Sequence, residues 1–183
     1  MNKKIICLAL ILALSASLAF GQFRFEIGAN APVAAGAASA SGTLADVFTS
    51  ISDFGIIPIP NLALLLQANM GFLKIGAGIK VHSLIVFSMA YPMAQVELAL
   101  GPVVLDASVG GYYFGYYTVG NIYGLKQYDY LVPDISAWIA LGKKQTFRLG
   151  GGAIGVLPLS SLSSLSTLEL PFVAYAGLKI VLE

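Results

Sequence analysis

The 183-residue chain is 57% hydrophobic and only 10% charged, with a mean hydropathy of +0.83. Soluble domains carry about 25% charged residues, so this chain cannot cover a water-facing exterior. Its 10 basic and 9 acidic residues form no basic cluster, which argues against nucleic-acid binding.

The N-terminus has the pattern of a secretory signal peptide. A basic segment at Lys3 is followed by an apolar run and then by small residues at Ala19-Phe20-Gly21, as signal cleavage requires. We predict that residues 1–21 are removed and that residues 22–183 form one domain; a retained membrane anchor is the alternative. Cys7, the only cysteine, lies in the signal, so the domain would contain no disulfide and no thiolate metal site.

Charged residues in the rest of the chain recur at alternate positions. Arg24 and Glu26 are two residues apart, and Lys74, Lys80 and His82 share one parity. Successive side chains of a β-strand point to opposite faces, so one face of each segment is apolar and the other is charged. In so apolar a chain, this alternation is typical of a β-barrel in lipid.

The alternating segments are long enough, or nearly so, to cross a membrane obliquely as strands. The eight predicted strands are Gln22–Ala31, Leu62–Met70, Leu73–His82, Met93–Leu100, Val103–Tyr116, Tyr128–Leu141, Thr146–Leu157 and Thr167–Leu182. We therefore predict an all-β fold, an eight-stranded antiparallel transmembrane β-barrel.

Short and long connections alternate between these strands. Short turns are predicted at 69–72, 101–102 and 142–145, and longer loops at Val33–Asn61, Ser83–Pro92, Thr118–Gln127 and Pro158–Ser166. Outer-membrane barrels have short periplasmic turns and longer outer loops. The pattern thus predicts that the short turns and both ends of the domain face the periplasm.

The predicted outer face is apolar and has aromatic residues towards both ends. Its members are Phe23, Phe25, Ile27, Leu64, Leu66, Ile75, Ile79, Val81, Val96, Leu98, Leu105, Val109, Ile135, Ile139, Phe147, Leu149, Phe172, Leu178 and Ile180. Three of its phenylalanines lie near the short turns, and Tyr112, Tyr113, Tyr116, Tyr117, Tyr123, Tyr128 and Tyr130 lie near the long loops. This distribution predicts two interfacial aromatic girdles, although tyrosines also favour strands in general.

The last segment carries a short motif. Tyr175, Gly177, Ile180 and Leu182 have the spacing of the C-terminal assembly signal of outer-membrane barrels. With the signal peptide and the loop pattern, the chain resembles the small, eight-stranded bacterial outer-membrane β-barrel protein family. The resemblance implies an outer membrane of a diderm bacterium as the location, with its lipids and the barrel-assembly machinery as partners. Family members usually end in an aromatic residue, whereas this sequence has Leu182-Glu183.

Two other architectures are compatible with parts of the sequence. Segments 55–73 and 83–105 are each long enough for a membrane helix, but their prolines and the parity of the charges favour strands. A soluble, lipocalin-like barrel needs a polar exterior, which this chain lacks.

One segment departs from strand spacing. Leu44, Val47, Phe48, Ile51 and Phe54 recur at helical intervals. We predict a short amphipathic helix, Leu44–Phe54, in the first outer loop. It would cover the barrel rim, plug its mouth, lie on the membrane or contact a partner.

The predicted inner face forms a neutral charge network. Its members are the bases Arg24, Lys74, Lys80, Arg148 and Lys179 and the acids Glu26, Glu97, Asp106, Asp134 and Glu169. The interior of an eight-stranded barrel is filled by side chains, and buried charges persist when paired. Across the Gly101-Pro102 turn Glu97 should face Asp106, with Lys74 between them or, alternatively, a bound cation or proton. We also expect Glu26 to approach Lys179, because the first and last strands must pair to close the barrel.

Catalytic and metal-binding patterns are sparse. His82-Ser83 has the residue types of a base and a nucleophile, and an orienting acid would have to come from Asp46 or Asp53. With one histidine and no cysteine in the domain, no metal-ligand spacing is present, and no cofactor is predicted. The run Gly150-Gly151-Gly152 lies inside a strand, where glycines relieve crowding, and is not a phosphate-binding loop.

These patterns favour a non-enzymatic outer-membrane protein with a filled, charge-balanced lumen and a surface or structural role. The alternative is a narrow channel or transporter for small or hydrophobic molecules, suggested by the apolar character of segment 83–91 and of the first-loop helix. A more remote alternative is a lipid-modifying enzyme that uses His82 and Ser83.

Overall fold

The computed structural model describes residues 21–36, 57–83, 87–119, 122–158 and 172–183. Its strands are β1 Gly21–Gly36, β2 Ile59–Met70, β3 Leu73–Ser83, β4 Phe87–Leu100, β5 Val103–Val119, β6 Ile122–Leu141, β7 Phe147–Gly155, β8 Leu157–Pro158 and β9 Phe172–Leu182. Within these ranges, no helix is both long and apolar enough to cross a membrane. The segments weighed as membrane helices contain β2 and β4 instead, so the helical alternative is wrong.

The strands close into a barrel through antiparallel pairing. Consecutive strands from β1 to β7 pair with each other. The wall then closes because β7 pairs with β9 and β9 pairs with β1. The two-residue β8 lies beside β6 just beyond the end of β7, so the two occupy one position in the wall. The wall therefore has eight strand positions, and the predicted fold class is confirmed.

The three predicted short turns are confirmed at one end of the barrel. Gly71, Gly101 and Gly142 have φ values of 76°, 69° and 80°, a left-handed conformation that glycine adopts without steric cost. Gln145 is also left-handed, with a φ of 52°. Its side-chain amide donates a hydrogen bond of 2.9 Å to the Gly101 carbonyl oxygen, which links two of the turns.

The connections at the other end differ from the prediction. The predicted loops Ser83–Pro92 and Thr118–Gln127 are wrong, because β3 and β4 leave only residues 84–86 between them, and β5 and β6 leave only 120–121. Pro92 lies in β4 where the register with β5 shifts, a position at which a strand tolerates proline. The first and last connections, by contrast, are long.

The predicted division into two faces is confirmed for the described side chains. Of the residues predicted to face outward, Leu66, Val81 and Leu98 are half-buried and the remainder are exposed. Inward positions alternate with them and are buried or half-buried. The exterior is thus an apolar surface, as lipid contact requires.

Several predictions fall outside the described residues: the signal up to residue 20, the helix at Leu44–Phe54, and Glu169. Tyr112 to Tyr128 contribute to strands whose side chains are not described. The outer aromatic girdle therefore stays a prediction, whereas Phe23, Phe25 and Phe147 are exposed near the short turns.

Candidate functional site in the barrel lumen

The polar side chains of the inner face meet in the lumen. The strand parity places nine of the ten predicted network residues there, and the tenth is Glu169. Seven of the nine are almost fully buried: Arg24, Glu26, Glu97, Asp106, Asp134, Arg148 and Lys179. Lys74 and Lys80 are half-buried.

Glu97 on β4 is the centre of the layer nearest the short turns. Arg148 on β7 donates to both of its carboxylate oxygens, at 2.6 and 3.2 Å. Arg24 on β1 approaches the Glu97 Oε2 atom at 2.5 Å. Because β1 and β7 lie across the lumen from β4, these contacts span the full width of the barrel.

The predicted position of Lys74 is wrong. Glu97 does pair directly with Asp106 across the turn, but Lys74 does not separate them. It lies 3.6 Å from Glu97 Oε1 and donates at 2.6 and 2.7 Å to the two carboxylate oxygens of Glu183. Asp106 is neutralised by Lys179, whose Nζ atom is 2.5 Å from Oδ2.

Glu183 is a network residue that sequence reasoning missed. Its carboxylate binds both Lys74 and Arg24, the latter at 3.3 Å. Strand alternation could have predicted this position, because Glu183 has the same parity as Lys179 and Val181, which face inward. The described lumen therefore contains five bases and five acids, with Glu183 as the fifth acid.

Glu26 lies in the next layer, at the pairing of β1 with β9. Its two carboxylate oxygens lie 2.5 Å from Arg24 Nη2 and 3.3 Å from Lys179 Nζ. The predicted contact of Glu26 with Lys179 is confirmed, with the acid between two bases. Lys179 Nζ also lies 4.7 Å from the centre of the Trp138 ring, within the range of a cation–π interaction.

A separate set of polar residues occupies the other half of the lumen. Lys80 donates to Asp134 at 3.0 Å, and the Tyr175 hydroxyl donates to the same carboxylate at 2.8 Å. Further along, the His82 and Tyr91 rings are stacked at 5.8 Å, with 2.9 Å between Nε2 and the hydroxyl oxygen. Sequence reasoning placed neither tyrosine in the network.

His82 and Ser83 do not form a catalytic pair. They are adjacent on β3, so their side chains face opposite sides of the sheet: His82 is buried, and Ser83 is exposed. The Ser83 hydroxyl instead hydrogen-bonds that of Ser88 at 2.8 Å. Among the described residues, no group of three or more His, Cys, Asp or Glu is arranged to hold a metal ion.

The glycine run and the C-terminal motif both follow the strand alternation. A Cβ atom at Gly150 or Gly152 would overlap the backbone of β6, so these glycines allow close packing of strands.

In the C-terminal motif, Tyr175 is buried in the lumen, whereas Ile180 and Leu182 are exposed on the outer face.

Two of the cavities between the lumen side chains of the described residues are lined by charged residues of the network. The larger has a volume of ≈ 20 Å³ and is lined by Glu26, Asn30, Asn61, Lys80, Gln95, Asp106, Ser108, Asp134, Ser136, Trp138, Tyr175 and Lys179. The smaller, beside Arg24 and Gln67, has a volume of ≈ 0 Å³.

Comparison with known proteins gives likenesses in structure alone. No family model matches the chain, and no curated protein matches it either. The N-terminal β-barrel domain of Pseudomonas aeruginosa OprF aligns with a TM-score of 0.47 and 11% identity, covering 88% of this chain and 99% of that one. Neisserial surface protein A (NspA) aligns with a TM-score of 0.43 and 11% identity, covering 86% of this chain and 95% of that one. The barrel described above is established by the strand pairing of this chain itself.

Proposed function

We propose that this protein is a non-enzymatic, integral outer-membrane β-barrel with a surface or structural role, and that its lumen passes no ions. The observation that carries the proposal is the ion-pair layer around Glu97. There, side chains from β1, β4 and β7 meet across the barrel axis, and both arginines contact the same carboxylate.

An ion would have to break this layer to pass. Removing one partner from a buried ion pair costs about 3–5 kcal/mol, and several such contacts lie in series along the lumen. The larger cavity, at ≈ 20 Å³, is little more than the volume that one water requires, roughly 10–15 Å³. The lumen thus acts as a packed core that holds the wall in shape.

The exterior supports an outer-membrane location. An apolar surface on a closed barrel suits lipid, since the pairing of the described strands runs around the whole wall. In this proposal the partners are outer-membrane lipids and the barrel-assembly machinery, which would recognise Tyr175, Gly177, Ile180 and Leu182. The turns at Gly71, Gly101 and Gly142 would face the periplasm.

The transporter alternative loses one of the two features that suggested it, and the other, the Leu44–Phe54 helix, lies outside the described residues. Segment 83–91 was interpreted as an apolar outer loop, but Ser83 belongs to β3 and 87–91 to β4. An apolar residue on such a strand faces either lipid or the lumen core, so this segment does not indicate an entry funnel. The enzymatic alternative likewise loses its pair, because His82 and Ser83 face opposite sides of the wall.

Planar-bilayer recording of the refolded protein tests the proposal. We expect no stable unitary current from the native sequence. The control is an Arg24→Ala, Arg148→Ala variant, which removes both arginines from Glu97 and gives the assay a barrel with a widened lumen. The heat-modifiable mobility of each sample on gels confirms that it is a folded barrel. Large, stable channels formed by the native protein would overturn the proposal.

A further inference from the structure

The larger cavity lies between two separately satisfied sets of charges. On one side are Glu26, Asp106 and Lys179, and on the other the pair Lys80 and Asp134. Every one of its lining side chains carries a nitrogen or oxygen atom. Empty cavities in proteins are apolar, whereas polar cavities of sufficient size hold water.

One lining side chain has an unsatisfied donor. The Nδ2 atom of Asn61 is buried and has no hydrogen-bond partner, and Asn61 as a whole is only 7% exposed. A buried amide donor without a partner is costly and is normally satisfied by protein or by ordered water. Asn61 lines this cavity, so an acceptor located there would supply the missing partner.

The chemistry of the lining selects that acceptor. An anion would lie close to the carboxylates of Glu26, Asp106 and Asp134, which would repel it. A cation cannot accept a hydrogen bond from Asn61, and it would lie beside the ammonium groups of Lys80 and Lys179. A water molecule accepts from the amide and donates to a carboxylate, so it satisfies both kinds of neighbour.

We propose that this cavity is a binding site for a single ordered water molecule, held by Asn61 Nδ2 and joining the Lys179 cluster to the Lys80–Asp134 pair. Its volume of ≈ 20 Å³ accommodates one water, which needs about 10–15 Å³. The inference does not depend on the proposed function, because a hydrated cavity is compatible with a conducting or a closed barrel.

Crystal structures of the refolded protein test the site, at a resolution that shows ordered waters. We expect one solvent peak within hydrogen-bonding distance of Asn61 Nδ2. Parallel soaks in rubidium and bromide salts should show no anomalous signal there. An empty cavity overturns the proposal, and so does a rubidium or bromide peak, which would identify the site as one for ions.

Gln67 supplies a matched control within the same lumen. Its Nε2 atom is also buried without a partner, but the adjoining cavity has a volume of ≈ 0 Å³. We expect no water at Gln67 Nε2. In an Asn61→Leu variant, whose side chain is similar in size but apolar, the water at position 61 should be lost. A water that persists in this variant would show that Asn61 does not hold it.

Discussion

Lys179 on β9 donates a hydrogen bond to Glu26 on β1 across the pairing that closes the barrel, with 3.3 Å between Nζ and Oε2. The same ammonium group contacts Asp106 on β5, on the other side of the lumen. One cation therefore connects the closing strand pair to the facing wall. Closure is supported by side chains as well as by the backbone ladder between β1 and β9.

Removing either partner of this contact should destabilise the barrel. We expect Glu26→Gln to lower the free energy of unfolding by about 3–5 kcal/mol, the usual cost of breaking a buried ion pair. Lys179→Gln should cost more, because it leaves Asp106 as well as Glu26 without this cation. Urea unfolding of the refolded single variants measures both.

The double variant tests whether the two residues are coupled. Contacting residues show interaction energies of about 0.5–3 kcal/mol in a double-mutant cycle. We therefore expect Glu26→Gln with Lys179→Gln to be less destabilising than the sum of the single changes. Strict additivity would mean that each residue acts through other neighbours.

Local pattern was sufficient to predict the wall of the barrel but only part of its lumen. Alternation assigned each strand's faces, and the two-residue turn at Gly101 correctly placed Glu97 opposite Asp106. The cations that bind Glu97 were not predictable in this way. Arg24 and Arg148 reach it across the lumen from strands that do not neighbour β4, and strand pairing specifies neighbours only. Lys74 was chosen because it is on the adjacent strand, but its ammonium group lies nearer to Glu183.

Arg148 and Lys74 should differ in their importance for stability. Arg148 is buried and makes two hydrogen bonds to Glu97, so Arg148→Met should cost about 3–5 kcal/mol of unfolding free energy. Lys74 is partly exposed and contacts the quarter-exposed carboxylate of Glu183 at the mouth of the lumen. Lys74→Met should therefore cost about 1 kcal/mol or less, as for surface pairs. Equal losses in denaturant unfolding would show that Lys74 contributes as much to stability as Arg148, and would contradict this difference.

Two glycines on one face of β3 offer a matched test of strand packing. A Cβ atom at Gly78 would overlap the Leu64 carbonyl group of β2, whereas at Gly76 its nearest neighbour is the Gln67 Cβ atom at 3.3 Å. Gly78→Ala must displace backbone and should destabilise the barrel by about 1–3 kcal/mol. Gly76→Ala requires only a small adjustment and should change stability by less than about 1 kcal/mol. The heat-modifiable mobility of the two variants on gels, followed with temperature, compares them. The opposite order would contradict the β2–β3 packing described above.

Orientation in the membrane can be tested with single cysteines. We expect a cysteine in place of Lys144, an exposed residue after β6, to face the periplasm. A cysteine in place of Asn121, between β5 and β6, should face outward, because the long first and last connections lie at that end of the barrel and the longer loops of such barrels face outward. A Cys7→Ser background removes the only native thiol. On intact cells, a membrane-impermeant maleimide should label the Asn121→Cys variant and leave Lys144→Cys unlabelled until the envelope is permeabilised. Labelling of Lys144→Cys alone on intact cells would reverse the orientation.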